Sequence, residues 1–355
     1  MIGLVGWTVV VAAGLALGAV AEPEENPIFP PGATLETLFE RTADIEGGLT
    51  EGPAAGPDGG IYFSDIPAGP AQQTMIQRYY PRTGKTTLFT AKGSKANGLA
   101  FDARGRLLVC DGADGGGRLL ARWNLESGDR MTLVERFMGK RFNSPNDLCV
   151  DRQGRIFFSD PRYVGSEPIE LAQRSVYVYQ PGAKLAELTH DVEMPNGVAL
   201  SPDGRTLYVG DYHRAGAADA SATGEPGPKV GAVVYAFPLS DGRIDGPRRT
   251  LAELGADNSC DGMAVDAAGN VYVTCRDPAK PGVLVVDPDG KRLAFFPTGP
   301  ANQSQAAGPL VGIPSNVEFG VGQDSHSLYV TMDIGLFRVP TRATGAPRAW
   351  ETPKQ

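Results

Sequence analysis

Glu51, Asn97, Asn146, Asn196, Asp261 and Asn316 each open a similar stretch of 15 or 16 residues. The stretches are 51–65 (EGPAAGPDGGIYFSD), 97–111 (NGLAFDARGRLLVCD), 146–160 (NDLCVDRQGRIFFSD), 196–211 (NGVALSPDGRTLYVGD), 261–275 (DGMAVDAAGNVYVTC) and 316–331 (NVEFGVGQDSHSLYVT). Two carboxylates and four carboxamides thus share one register, with no Cys, His or Met among them. If the chain gathers them, hard oxygen donors of this kind suit Ca²⁺ or Mg²⁺ better than Zn²⁺ or copper. Two carboxylates sharing a site without a cation would raise each other's pKa until one kept its proton, and a divalent ion removes that penalty. The alternative is that these residues only cap strand ends or form Asx-turns. That leaves the lone Glu of the first stretch and the lone Asp of the fifth without a reason.

The elements that would gather them can be read from the stretches themselves. Each holds an apolar run, a D-x-x-G or P-D-G turn and a second apolar run, the pattern of a β-hairpin. The openers follow one another at intervals of 46, 49, 50, 65 and 55 residues. Between hairpins lie two further strand-like runs, such as 75–80 with 86–89 and 175–179 with 186–188. Four strands at a period near 50 make a β-propeller blade. The expected fold is therefore all-β: a six-bladed propeller of four-stranded blades around a central channel, spanning 34–345. A third strand at 335–340 ends the last blade, and residues 35–39 supply its fourth, closing the ring and leaving no unpaired edge. The first strand of each blade lines the channel, so the six openers face one another at one mouth. With 46 Gly and 29 Pro in 355 residues, the composition agrees with a chain of many turns.

Residues 1–21 contain no charged side chain and end in Ala19-Val20-Ala21, a small-x-small pattern that reads as an export signal peptide. An uncleaved membrane anchor is the alternative. Either way the folded part lies outside the cytoplasm, in the periplasm or secreted. Residues 22–33 read as a Pro/Glu-rich tether and 346–355 as a C-terminal tail. With 33 Lys and Arg against 41 Asp and Glu, the net charge is −8, and no basic stripe offers itself to nucleic acid. No membrane partner is indicated beyond the leader, and the oligomeric state is not written in the sequence.

Glu51-Gly-Pro, Asn143-Ser-Pro-Asn146-Asp147, Pro195-Asn196-Gly197, Asp261-Gly262-Met263 and Phe158-Ser-Asp160-Pro161 with Tyr163 together resemble the SMP-30/gluconolactonase group of six-bladed propeller lactonases, from Glu51 to about residue 340. The resemblance implies one catalytic divalent cation held by Glu51, Asn146, Asn196 and Asp261, and hydrolysis of sugar lactones such as gluconolactone. Ser144 stands where some members carry an arginine two residues before the cation-binding Asn, which leaves the particular lactone open.

Lactone opening needs a polarised carbonyl and an activated water. The cation, Ca²⁺ by preference with Mg²⁺, Mn²⁺ or Zn²⁺ as alternatives, would act as Lewis acid. Asp261 is the expected base, binding the ion through one oxygen and taking a proton through the other. Asn97, Asn143 and Asp147 flank the mouth, where they either bind substrate hydroxyls or hold the ligand residues. His213 follows Asp211, whose register returns it to the same face, and is a further substrate-binding or basic candidate. No G-x-S-x-G motif supports a serine hydrolase. Residues 161–174, 214–229 and 299–314 read as pocket walls. The same site on aryl esters or phosphotriesters, or a non-catalytic ligand-binding propeller with a structural ion, are the competing readings.

Four cysteines remain. Cys260 and Cys275 should face each other across the fifth hairpin, so a disulfide bracing Asp261 is expected in an exported chain. Cys110 and Cys149 read as buried thiols, and no C-x-x-C or paired His accompanies any of them to suggest zinc.

Overall fold

A computed structural model describes residues 26–41, 48–68, 74–182, 185–212, 231–299 and 312–351. The leader, His213 and residues 214–229 lie outside the described residues, as does most of 299–314. Six antiparallel blade sheets follow one another around a central channel, and a separate two-stranded ribbon pairs Arg136–Phe137 with Lys140–Arg141. Blade 1 comprises Leu49–Ala55, Ile61–Ile66, Met75–Tyr80 and Lys85–Thr90. Blade 2 comprises Ala96–Phe101, Leu107–Asp111, Leu119–Trp123 and Arg130–Val134. Blade 3 comprises Leu148–Val150, Ile156–Asp160, Ser175–Tyr179 and Leu185–Thr189. Blade 4 comprises Pro195–Leu200, Thr206–Asp211, Val233–Ser240 and Arg249–Glu253, with a short strand Arg243–Ile244 added at its edge. Blade 5 comprises Cys260–Val265, Val271–Cys275, Gly282–Val286 and Arg292–Pro297. The only helical turn among the described residues is the 3-10 segment Gly322–Asp324.

Blade 6 is completed from the other end of the chain. Pro314–Phe319, Ser327–Met332 and Gly335–Pro340 pair in order, and Glu36–Glu40 adds the outer strand against Gly335–Pro340. The closure expected from the sequence is therefore the one observed. Apolar residues from adjacent blades fill the spaces between them, as where Tyr62 meets Phe101 edge-on at 5.2 Å and Tyr272 meets Phe319 at 4.9 Å. Edge-to-face pairs of this kind add to the burial that holds blade on blade.

Two expectations need correction. The segment read as a tether is docked in its described part: Ile28 and Phe29 are 5% and 4% exposed, Phe29 packs on Phe296, and Arg342 donates its backbone N–H to Ile28. Two large apolar side chains beside the Pro and Glu residues give it that anchor. The cysteine register is as expected, Cys260 opposite Cys275, but both thiols are free. Cys260 turns its Sγ toward blade 4, donating to the Asp211 carbonyl at 3.3 Å. Cys110 is buried with its Sγ on the Asp147 carbonyl, and Cys149 is only partly buried.

Candidate active site

In four of the six repeats the dipeptide that opens the repeat forms a β-bulge. In blades 1, 2, 4 and 5 three steps along the inner strand match two along its partner: Glu51–Ala54 against Ser64–Tyr62, Ala96–Leu99 against Asp111–Val109, Pro195–Val198 against Asp211–Val209, and Cys260–Met263 against Cys275–Val273. A bulge re-aims a side chain, here that of the opener. The glycine after it allows the ring to close tightly. A Cβ on Gly52, which has φ +50°, would overlap the Asn97 carbonyl, and a Cβ on Gly262 would overlap the Asn316 side chain. In blades 1, 2, 4 and 5 the glycine after the opener thus seats against the opener of the next blade.

Two sets of side chains fix this ring. Hydroxyls on the second strands reach the next blade: Ser64 Oγ donates to the Asn97 carbonyl at 2.7 Å and Thr274 Oγ1 to the Ser315 carbonyl at 3.3 Å. Acids at or just past the end of the second strands clamp the backbone leading into their own inner strand. Asp160 accepts from the N–H groups of Asn143 and Ser144, Asp211 from those of Glu193 and Met194, and Asp333 from those of Gly312 and Ile313.

Glu51 and Asp261, from blades 1 and 5, are brought together. Both are buried, at 3% and 6% exposed. Burial raises Glu51 well above the ordinary carboxylate range, with Asp261 and then Asp147 adding to it and the Arg276 guanidinium opposing. Asp261 is also raised by burial, while Arg276 and a hydrogen bond from the Asn196 side chain pull it down. Arg276 Nη1 lies 2.8 Å from Asp261 Oδ2 and donates to the Pro314 carbonyl at 3.1 Å. It also hydrogen-bonds Tyr212. Tyr212 packs edge-on against Tyr163 at 5.1 Å. The Tyr163 hydroxyl is buried beside Asn196 and Asp261, and burial, with Asp261 next, keeps it firmly protonated.

The remaining candidates divide. Asn146 stands in the ring, its N–H donating to the Ser159 carbonyl and its carbonyl accepting from Gly98. Asp147 lies just beneath it, where its Oδ2 accepts from Val198 N–H at 3.1 Å and its carboxylate from Leu148 N–H and the Asn316 side chain. Burial pushes Asp147 up to about 7. Its side chain is committed to joining blades 3, 4 and 6. Asn97 is in the ring, with its Oδ1 buried and unbonded. Asn143 is turned away, donating from Nδ2 to the Gln173 carbonyl at 2.8 Å and so holding the 161–174 loop.

The donor set fits a hard divalent ion: two buried carboxylates, both raised by burial and Glu51 by Asp261 as well, beside carboxamides. Among the described residues no group of three His, Cys, Asp or Glu is arranged to hold a metal, so such an ion would depend on the carboxamide oxygens. Arg276 and Tyr212 are the residues that sequence reasoning missed. They occupy one register, immediately after the residue opposite the pre-opener position, and that register was the available signal.

The SMP-30/Gluconolactonase/LRE-like region matches residues 49–333. A gluconolactonase of Zymomonas mobilis is 27% identical, the match covering 94% of this chain and 88% of that one. A pentonolactonase of Haloferax volcanii is 25% identical over 86% of this chain and 96% of its own length. The solved structure of a gluconolactonase from Xanthomonas campestris superposes with a TM-score of 0.67 at 30% identity, covering 87% of this chain and 89% of that one. By this match, which extends from the first inner strand to just past the last hairpin, the chain belongs to the SMP-30/gluconolactonase/LRE-like family.

Proposed function

We propose that the protein is a lactonase that opens small sugar-type lactones with the help of a divalent cation held by Glu51, Asn146, Asn196 and Asp261, Ca²⁺ being the best match to the donors. The observation that carries this reading is the meeting of Glu51 and Asp261, from blades on opposite parts of the sequence, beside the Asn196 carboxamide. The names of the gluconolactonase and pentonolactonase relatives supply the substrate class.

A cation held by these residues would supply positive charge for the lactone carbonyl and would lower the pKa of nearby water. The chain's own residues do the rest. Asp261 takes a proton from water as the water oxygen bonds to the carbonyl carbon. The ring C–O bond breaks, and the proton passes to the departing alkoxide, giving the open hydroxy acid. Since Arg276 holds Oδ2, the ion would take Oδ1, and Asp261 can accept the proton on Oδ2 only when the guanidinium yields it. Tyr163, protonated and beside Asn196, is a hydrogen-bond donor for a substrate oxygen, and the Tyr163–Tyr212 pair makes an apolar wall.

A lactone panel run on metal-stripped protein, with Ca²⁺, Mg²⁺, Mn²⁺ and Zn²⁺ restored singly, tests the reading. Hydrolysis is expected to vanish on stripping and return with a cation. A cation-loaded protein that opens no lactone overturns it.

A further inference from the structure

Arg276 does something at this site that the lactonase reading does not require. Its Nη1 is 2.8 Å from Asp261 Oδ2 and 3.1 Å from the Pro314 carbonyl oxygen, and the guanidinium also bonds Tyr212. Residues of blades 4, 5 and 6 therefore fix it in place. Its charge is felt at Glu51 as well as at Asp261. The equivalent positions in the other repeats hold Ile66, Gly112, Pro161, Tyr212 and Asp333, so the cation belongs to this repeat alone.

We propose that Arg276 is a built-in counter-ion to the carboxylates of the cation site, neutralising them when no ion is bound and weakening the site's hold on a divalent ion. The proposal rests on the cation reading above. The physical ground is direct. An incoming ion meets a fixed positive charge in contact with one of its own ligands, and at such range like charges repel even through a partly wet site. One oxygen of Asp261 is already taken, so the ion either binds through Oδ1 alone or must displace a guanidinium that has two further partners. Replacing Arg276 by a neutral side chain removes both obstacles. It also leaves Glu51 and Asp261 facing each other without a cation in the metal-free protein, a buried like-charge pair.

The test is a calorimetric titration of chelator-stripped protein with Ca²⁺ and with Mn²⁺ at fixed pH and salt. It compares the wild type, Arg276→Gln, Arg276→Met, Arg276→Lys and the distant control Arg338→Gln. The neutral variants are expected to bind the ion about ten- to a hundredfold more tightly, the effect of removing one nearby unit charge. Arg276→Lys and Arg338→Gln should stay close to the wild type. The neutral variants should also melt lower in chelator and gain more on adding the ion, a linked effect. Either neutral variant serves if the other fails to fold. Neutral variants that bind no tighter than the wild type overturn this proposal and leave the cation reading standing. If the wild type and both neutral variants all take up no ion, the cation reading falls and this proposal with it. A wild type that binds weakly beside a variant that binds well supports both.

Discussion

At the scale of single residues, the proposed chemistry rests on Asp261, Glu51 and Tyr163. Asp261→Asn keeps the size and the contact with Asn196 but removes the proposed base and a charge from the proposed cation site. Its kcat is expected to fall by about 10²–10⁴-fold, the range for loss of a general base, with an unchanged circular dichroism spectrum. A variant that still turns over like the wild type places the base elsewhere. Tyr163→Phe removes only the hydroxyl beside Asn196. Its expected signature is a fall in kcat/KM of about tenfold, from the loss of one donor to a substrate oxygen, while the wall it forms with Tyr212 stays. The ring residues were legible because six repeats placed them in register, and register converts directly to position in a propeller. Arg276 was not, since a lone arginine after a strand is ordinary on a surface. Only the bulge geometry and the contact with Asp261 give it meaning.

At the scale of elements, the hairpin turns were readable and the bulges were not. Asp102, Asp151 and Asp266 accept backbone N–H groups from Gly105, Gly154 and Gly269, as D-x-x-G implies. The opener–Gly pairs look like the same turn chemistry in sequence but serve to widen the inner strand. What sets their position is the acid at the end of the neighbouring strand, and this carries a pH consequence. Burial raises Asp160, which clamps the Asn143 and Ser144 N–H groups, to about 7 against an ordinary 3.8, and does the same to Asp111, which pairs with Arg130. Raised in the fold, each acid favours the protonated native state. Its stabilising contribution is complete below about 4 and is lost as pH climbs through about 7. The urea midpoint of chelator-treated protein is therefore expected to drop between pH 5 and pH 8. Asp160→Asn, which cannot ionise, should flatten that slope while lowering the midpoint at pH 5, because the amide Nδ2 cannot accept and leaves one of the Asn143 and Ser144 N–H groups without its partner. A slope that Asp160→Asn leaves unchanged removes Asp160 from the explanation.

At the scale of the whole molecule, both ends of the chain close the propeller, but in different ways. Glu36–Glu40 is a strand of blade 6, paired along Gly335–Pro340, with Arg338 bridging to Glu36 at 2.6 Å. The segment 345–350 instead crosses the floor of the channel, opposite the ring. Gly345 bridges to Asp266 in blade 5, Arg348 pairs with Glu318 of blade 6 at 2.7 Å, and Trp350 packs against the cluster between blades 1 and 2. Between that floor and the layer of Asp147 and Asn316 lies a cavity of about 200 Å³. The segment read as a C-terminal tail is thus packed in its described part, Ala349 being 5% exposed. The two ends should respond differently to removal. Deleting residues 1–41 bares the edge of Gly335–Pro340 and takes Ile28 and Phe29 from the core, so the ring cannot close and a sharp cooperative melt should disappear. Deleting residues 345–355 strips contacts from blade 5, blade 6 and the cluster between blades 1 and 2 but breaks no blade sheet. That variant should melt cooperatively at a lower temperature, by an amount near that of losing one large buried side chain, about 2–4 kcal/mol. It should also keep its cation affinity and lactone turnover, because the floor is separated from the ring by the Asp147–Asn316 layer. Differential scanning calorimetry and a turnover assay on the two truncations decide the point. If loss of the floor segment abolishes turnover while the fold survives, the cavity and the ring act as one chamber, and the channel must be counted as part of the site.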